Sequence, residues 1–168
     1  MTSLAALLTD YGSYHRDSRN RLTHYFGVPA IAYALLIPAA LRTPTLFGFA
    51  IGLDRLIVAA LVLLYLILDL RLGLALALLL GLLAYAAEMT TRLGVSGCLI
   101  LAGVVFVLGW ALQLFGHHLE GNRPALLTNL FQVLVAPIYL VAELSFAMGF
   151  RPGLHAEIQQ RLARVPPR

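Results

Sequence analysis

The chain is poor in charge. Only 12% of its 168 residues are charged, against about 25% in an ordinary soluble domain. Lysine is absent, and all twelve basic residues are Arg. The single cysteine, Cys98, excludes an intrachain disulfide and a cysteine-rich zinc site. Its place in an apolar run suits a small buried residue. No cationic start precedes the first apolar residues, and Asp10 interrupts them. No signal peptide is therefore expected, and insertion would rely on internal spans. The net charge of +4 forms no basic stripe interleaved with aromatics, so nucleic acid is set aside as a partner. What fills the chain is apolar: 60% of residues are hydrophobic, where roughly 45–50% is usual. One compact soluble domain of this length cannot hide that surface. A cytosolic enzyme, a disordered tail and a nucleic-acid module are thereby excluded, and a single multi-span membrane domain remains.

The few charges gather at the ends. Residues 1–27 hold Asp10, Arg16, Asp17, Arg19 and Arg21, and residues 149–168 hold Arg151, Glu157, Arg161, Arg164 and Arg168. Arg at both ends suits anionic headgroups and places both ends on the cytoplasmic side. Leu4, Leu7, Leu8 and Tyr11, with Tyr14 or His15, follow helical spacing and predict an amphipathic helix over 3–15, suited to a membrane surface. The polar stretch Arg16–Arg21 is expected to turn the chain.

Five apolar segments follow. Val28–Leu41 carries Pro29 and Pro38 and is short of the about 20 residues a span needs, so it must borrow from its flanks, tilt or re-enter. Leu46–Leu68 is interrupted by Asp54-Arg55. Leu72–Ala87 follows it so closely that the two are expected to form a hairpin. Val95–Phe115 has no charge and is the clearest span. Leu126–Met148 contains Pro137 and Glu143. These runs are continuous and rich in Leu and Ala, without the alternation of a membrane barrel. The expected fold is all-α: an integral membrane helical bundle with four to five hydrophobic helices and an amphipathic N-terminal helix. The parts are 1–27 with a first His motif, four hydrophobic helices over 28–115, a second His motif over 116–125, a fifth segment over 126–148 and a polar tail over 149–168.

Four of the five histidines fall in two clusters at the edges of these segments. The first is Tyr11-x2-Tyr14-His15-x4-Asn20-x3-His24-x2-Gly27-Val28-Pro29. The second is Gln113-x3-His117-His118-x-Glu120-Gly121-Asn122-Arg123-Pro124-Ala125-Leu126. His155, in the tail, is expected to be solvated. Asn20 and His24 share a helix face, and Gln113, His117 and Glu120 form a row on another. His15 and His24 would lie about 180° apart on a continuous helix, so both face one site only if the chain turns near Ser18-Arg19-Asn20. His118 lies about 100° from the second row and converges with His117 only if the helix ends near Gly116.

Imidazoles beside a carboxylate suit iron, copper or zinc, and His with a carboxylate and open positions suits non-haem Fe(II). Interfacial histidines bonded to water are the structural alternative. Four crossings between His24 and His117 would return the chain to the same membrane face. Both ends then share a side if the fifth segment breaks at Pro137 and turns back. A re-entrant first segment with a spanning fifth would serve as well. Glu143 reads as a carboxylate near the metal ligands, a proton relay or a glutamate reaching water from a helix end. Asn129 and Gln132 line the same cavity or bond between helices.

Tyr14-His15, Asn20, His24 and Gly27-Val28-Pro29 resemble the opening motif of the 2-hydroxy fatty acid dioxygenase family, small multi-span membrane proteins. Gly116-His117, Glu120 and Arg123-Pro124-Ala125-Leu126 resemble its second motif, followed by the similar Asn129 and Glu143. The resemblance covers about residues 8–148. In the family the His-to-Glu gap is often one residue longer than from His117 to Glu120, which leaves both His117 and His118 as candidates for that position. The resemblance implies an Fe(II)-dependent dioxygenase of fatty acid α-oxidation. It would cleave C1–C2 of a 2-hydroxy fatty acid with O2 to give the acid one carbon shorter. His15, His24 and His117 would be ligands, with His118 a fourth candidate. Asn20, Gln113 and Glu120 would orient the imidazoles. Arg123 would pair with the substrate carboxylate or with lipid phosphate, and the apolar spans would hold the acyl chain. Other readings are a membrane zinc hydrolase and a non-enzymatic membrane scaffold or transporter. The all-Arg, compact chain points to a bacterial inner membrane.

Overall fold

A computed structural model describes residues 3–121 and 131–165. The described chain is helical apart from one short hairpin, with elements in the order α1 (Leu4–Ser13), α2 (Ser18–Ala40), β1 (Thr45–Leu46), β2 (Phe49–Ala50), α3 (Leu53–Leu68), α4 (Leu70–Thr90), a 3-10 turn (Thr91–Leu93), α5 (Gly94–Glu120), α6 (Gln132–Ala147) and α7 (Pro152–Leu162). The chain divides into two compact units, one made of Met1–Phe26 and Leu112–Arg168, the other of Gly27–Ala111.

In the first unit, Ser3 caps α1, its hydroxyl accepting from the amide of Ala6 at 3.2 Å. The helix stops where the Ser13 hydroxyl bonds back to the Asp10 carbonyl at 2.7 Å; such local side-chain bonds compete with helix continuation. The apolar face predicted for a membrane surface is covered by protein instead. Leu8 and Tyr11 are buried, and α1 packs against α6 and α7. Pro137 stays inside α6. The reversal expected there comes at residues 148–151, where Arg151 adopts a left-handed conformation (φ 57°) and α7 leaves α6 at 114°. His155 is stacked on Phe146, with ring centroids 4.7 Å apart, so solvation alone does not describe it.

In the second unit, Leu46 does not open a long helix. Thr45 pairs with Ala50 and Leu46 with Phe49 around the two-residue loop Phe47-Gly48, both at positive φ. α3 and α4 form the expected hairpin around one residue. Asp69 donates its amide to the Tyr65 carbonyl (2.9 Å), and its carboxylate caps α4 by accepting from the amides of Arg71 and Leu72, both at 3.0 Å. Gly73 lets the helices meet: a Cβ there would stand 2.7 Å from the Leu66 nitrogen. Leu72, Leu76, Leu80 and Ala84 of α4 are buried, while Leu70, Leu74, Leu78 and Leu82 are exposed. A helix apolar on both faces needs an apolar surround as well as a protein core.

Among the described residues, two helical segments are long and apolar enough to cross a membrane: Ser18–Ala40 and Leu70–Glu120, which contains both α4 and α5. The bent pair α6–α7 would make a third. The first apolar segment does borrow from its flank: α2 begins ten residues before Val28 and runs for 23 residues through Pro29 and Pro38.

Candidate metal centre

Three imidazoles meet in the first unit. His15 stands in the turn after α1, His24 lies near the start of α2, and His117 is in the last turn of α5. Their ring centroids are 4.6, 4.9 and 5.0 Å apart. One ring nitrogen from each lies within 4.8 Å of the others, and all three rings are buried.

Local bonds fix two of the tautomers. His15 Nδ1 is 2.8 Å from the Tyr11 carbonyl, and His24 Nδ1 is 2.9 Å from the Asn20 carbonyl. A carbonyl only accepts, so both Nδ1 atoms carry the proton. The two Nε2 atoms then face each other as bare acceptors 3.1 Å apart. Two lone pairs at that distance repel unless a positive charge lies between them. Burial, followed by the nearby His24, pushes His15 down to about 2, so its ring is neutral as a ligand must be.

The turn that brings His15 round occupies residues 14–17, just ahead of the Ser18–Asn20 stretch expected to bend. Asp17 is the reason: its carboxylate accepts from the Arg19 amide at 2.8 Å and starts α2 there. Glu120 holds the same turn from α5. Its Oε1 accepts from the amides of Arg16 (2.5 Å) and Asp17 (2.9 Å), and its Oε2 accepts from Asn20 Nδ2. Asn20 Nδ2 also lies 3.4 Å from His117 Nδ1. Asn20 thus touches a ring directly, whereas Glu120 acts on the rings through Asn20 and the backbone.

Gly116 makes room for this contact. A Cβ there would collide with Asn20 Oδ1 and Thr23 Oγ1 and sit 3.2 Å from Asn20 Cα. Because α5 continues to Glu120 instead of ending near Gly116, His118 is carried about 100° round the helix. It is exposed and stands outside the three-ring group.

Glu143 forms an ion pair with Arg21, Oε2 to Nε at 3.4 Å. Arg21 Nη1 in turn donates to the carbonyls of His15 (3.2 Å) and Arg16 (2.8 Å). Gln113 is buried one turn before His117, its Oε1 without a partner. Gln132 Nε2 donates to Asp10 at 2.5 Å. Arg123 and Asn129 lie outside the described residues.

Sequence reasoning gave Arg21, Tyr11 and Tyr139 no role at the metal centre. The Tyr11 ring lies flat on His15, with centroids 4.1 Å apart and planes at 4°, and Tyr139 is 4.8 Å from Tyr11. Burial raises the Tyr11 phenol and keeps it protonated. The i, i+4 spacing of Tyr11 and His15 was a visible signal for their stack; nothing in the sequence points to Tyr139.

The profile of the family described as "2-hydroxy-palmitic acid dioxygenase Mpo1-like" matches residues 1–148. The chain belongs to the Mpo1-like family. A curated relative of this Mpo1-like chain is the Saccharomyces cerevisiae protein named 2-hydroxy-palmitic acid dioxygenase MPO1. It is 31% identical over 178 residues, covering 98% of this chain and 96% of the yeast protein. No solved structure matches the chain.

Proposed function

We propose that this protein is an Fe(II)-dependent membrane dioxygenase of fatty acid α-oxidation. It takes a 2-hydroxy fatty acid and O2, cleaves the C1–C2 bond and releases the acid one carbon shorter, with C1 leaving as CO2 and one water formed; O2 takes all four electrons, so no further reductant is needed. The observation that carries the reading is the pair of bare Nε2 atoms of His15 and His24, 3.1 Å apart and joined by the His117 ring in a chain of the Mpo1-like family. Neutral, buried nitrogen donors fit a divalent transition metal. His15, His24 and His117 would hold it, and bound iron would supply the redox chemistry with O2 and a positive charge for the substrate's oxygens.

The remaining residues have separate tasks. The Tyr11 and Asn20 carbonyls hold the His15 and His24 rings in the ligating tautomer. Asn20 and Glu120 tie the His15 turn to the end of α5, and Glu143 steadies it through Arg21. Arg123 is assigned to the substrate carboxylate, whose planar shape its guanidinium matches. Burial of the three rings keeps bulk water from the reacting carbons.

The membrane placement belongs to the same reading. Four to five hydrophobic helices span, with both His motifs on one face and the acyl chain among the apolar helices. The 21 residues of α4 and 27 of α5 are each enough for a crossing. The reading extends, on the all-Arg composition, to a bacterial inner membrane.

The test is anaerobic reconstitution with Fe(II), then aerobic incubation with 2-hydroxypalmitate. Pentadecanoate is the expected product. Its absence from protein with the iron site filled overturns the reading.

A further inference from the structure

The structure assigns Gln113 a task distinct from orienting the imidazoles: we propose that its side-chain carbonyl accepts a hydrogen bond from the 2-hydroxyl of the substrate and thereby selects 2-hydroxy acids over unsubstituted ones. The inference rests on the dioxygenase reading above.

Gln113 lies four residues before His117, so both side chains leave the same face of α5. It lies one helical turn from His117 toward the apolar run that ends at Phe115. Its side chain is more than nine-tenths buried and Oε1 has no partner. A buried carbonyl left unmatched is costly and marks a place where a donor is expected.

Among the described residues, the His15, His24 and Asn20 donors of the centre are already engaged. The Nδ1 protons of His15 and His24 go to Tyr11 and Asn20. Asn20 Nδ2 goes to Glu120. Asn20 Oδ1 is the other acceptor there without a hydrogen-bond partner, and it points at Gly116, where even a methyl group would collide. It leaves no space for a ligand. Of the two unpartnered side-chain acceptors among the described residues of this region, Gln113 Oε1 is the one left for a ligand.

The substrate's chemistry completes the match. A fatty acid carboxylate at neutral pH has acceptor oxygens and no donor, and its tail has neither. The 2-hydroxyl is the one group of the molecule that donates. A carbonyl beside the carboxylate-binding centre, on the side where the tail begins, therefore distinguishes the hydroxylated acid. A site built to bond a hydroxyl rejects the analogue that lacks it far more strongly than a plain apolar pocket would.

The test uses the full chain in detergent, loaded with zinc so that no turnover occurs. Binding of 2-hydroxypalmitate and of palmitate is measured by equilibrium dialysis for the wild type, Gln113→Met and Gln113→Asn. Wild type is expected to prefer 2-hydroxypalmitate. Gln113→Met should weaken that ligand about tenfold, the loss of one hydrogen bond, and leave palmitate unchanged or tighter. Gln113→Asn, with its carbonyl drawn back by one carbon, should lose preference in part. Metal content and thermal unfolding identify which variants are folded, and either folded variant suffices. A folded, metal-loaded variant that keeps the full preference overturns the role of Gln113 while leaving the dioxygenase reading intact. Wild type that binds both acids equally overturns both the selection and the substrate class.

Discussion

His117 and His118 are neighbours with the same side chain, and only one of them meets the other rings. The difference is helix geometry: α5 continues to Glu120, so successive side chains diverge by about 100°. The sequence left the choice open because it shows spacing and not where a helix stops. The same cause placed the expected turn slightly late, since Asp17 starts α2 at Ser18. What was legible was the set itself: His15, Asn20, His24 and His117 come together from both clusters. His24→Ala and His117→Ala should abolish stoichiometric metal in the purified protein, while His118→Ala should retain the wild-type content by elemental analysis. Asn20→Ala should weaken metal affinity by about 10–100-fold, since it removes a group beside the His117 ring while leaving every ligand in place. Wild-type affinity in that variant would show that the Asn20 amide does not orient His117.

Helices are where the sequence was most readable, and where their ends misled it. A continuous apolar run predicts a helix well, so α4 and α5 appear where expected. It says less about the start of α3, because Leu46–Ala50 is as apolar as a helix yet follows the two-residue turn at Phe47-Gly48 into a hairpin. The approach of α5 to the first turns of α2 was hidden for a different reason. A glycine in an apolar run gives no sign of what it faces. Gly116 and Gly103 lie on the same helix and look alike in the sequence. A side chain at Gly116 would collide with Asn20 and Thr23; one at Gly103 meets nothing within 4 Å. Gly116→Val should destabilise the protein by about 1–3 kcal/mol through overpacking, with loss of bound metal. Gly103→Ala should leave metal content unchanged and be neutral or stabilising by up to about 1 kcal/mol, because Ala favours helix. Thermal unfolding in detergent reads both stability changes, and elemental analysis reads the metal content of both variants. Equal behaviour of the two variants would mean that helix propensity, and not the contact with Asn20 and Thr23, governs the Gly116 position.

For the whole molecule, the geometry of the centre constrains the membrane topology. With the centre at a membrane face, His15, His24 and His117 can share one ion only if the chain leaves and regains that face between the start of α2 and the end of α5. A centre at the face needs an even number of crossings, and α2, α3, α4 and α5 would supply four if each crossed once. The exposed faces fit an apolar surround: α4 presents leucine outward and α5 leucine, isoleucine and valine, which a protein in water would not leave bare along helices of 21 and 27 residues. Length is least comfortable for α3, whose 16 residues give about 24 Å against a hydrocarbon core of about 30 Å. Local thinning of the bilayer accommodates such a short span. The crossing pattern can be read one site at a time in a Cys98→Ser background, since Cys98 is the chain's single thiol. Arg19→Cys and His118→Cys, both exposed and both beside the centre, should react with a membrane-impermeant maleimide from one side. Phe47→Cys, at the 97% exposed hairpin tip, and Arg92→Cys, in the 3-10 turn between α4 and α5, should react from the other. Labelling of Arg19→Cys and His118→Cys from opposite faces would rule out four single crossings. A Phe47→Cys accessible from the same face as Arg19→Cys would instead make α2 re-entrant. Three crossings would then separate the motifs, and the metal centre would have to lie within the bilayer.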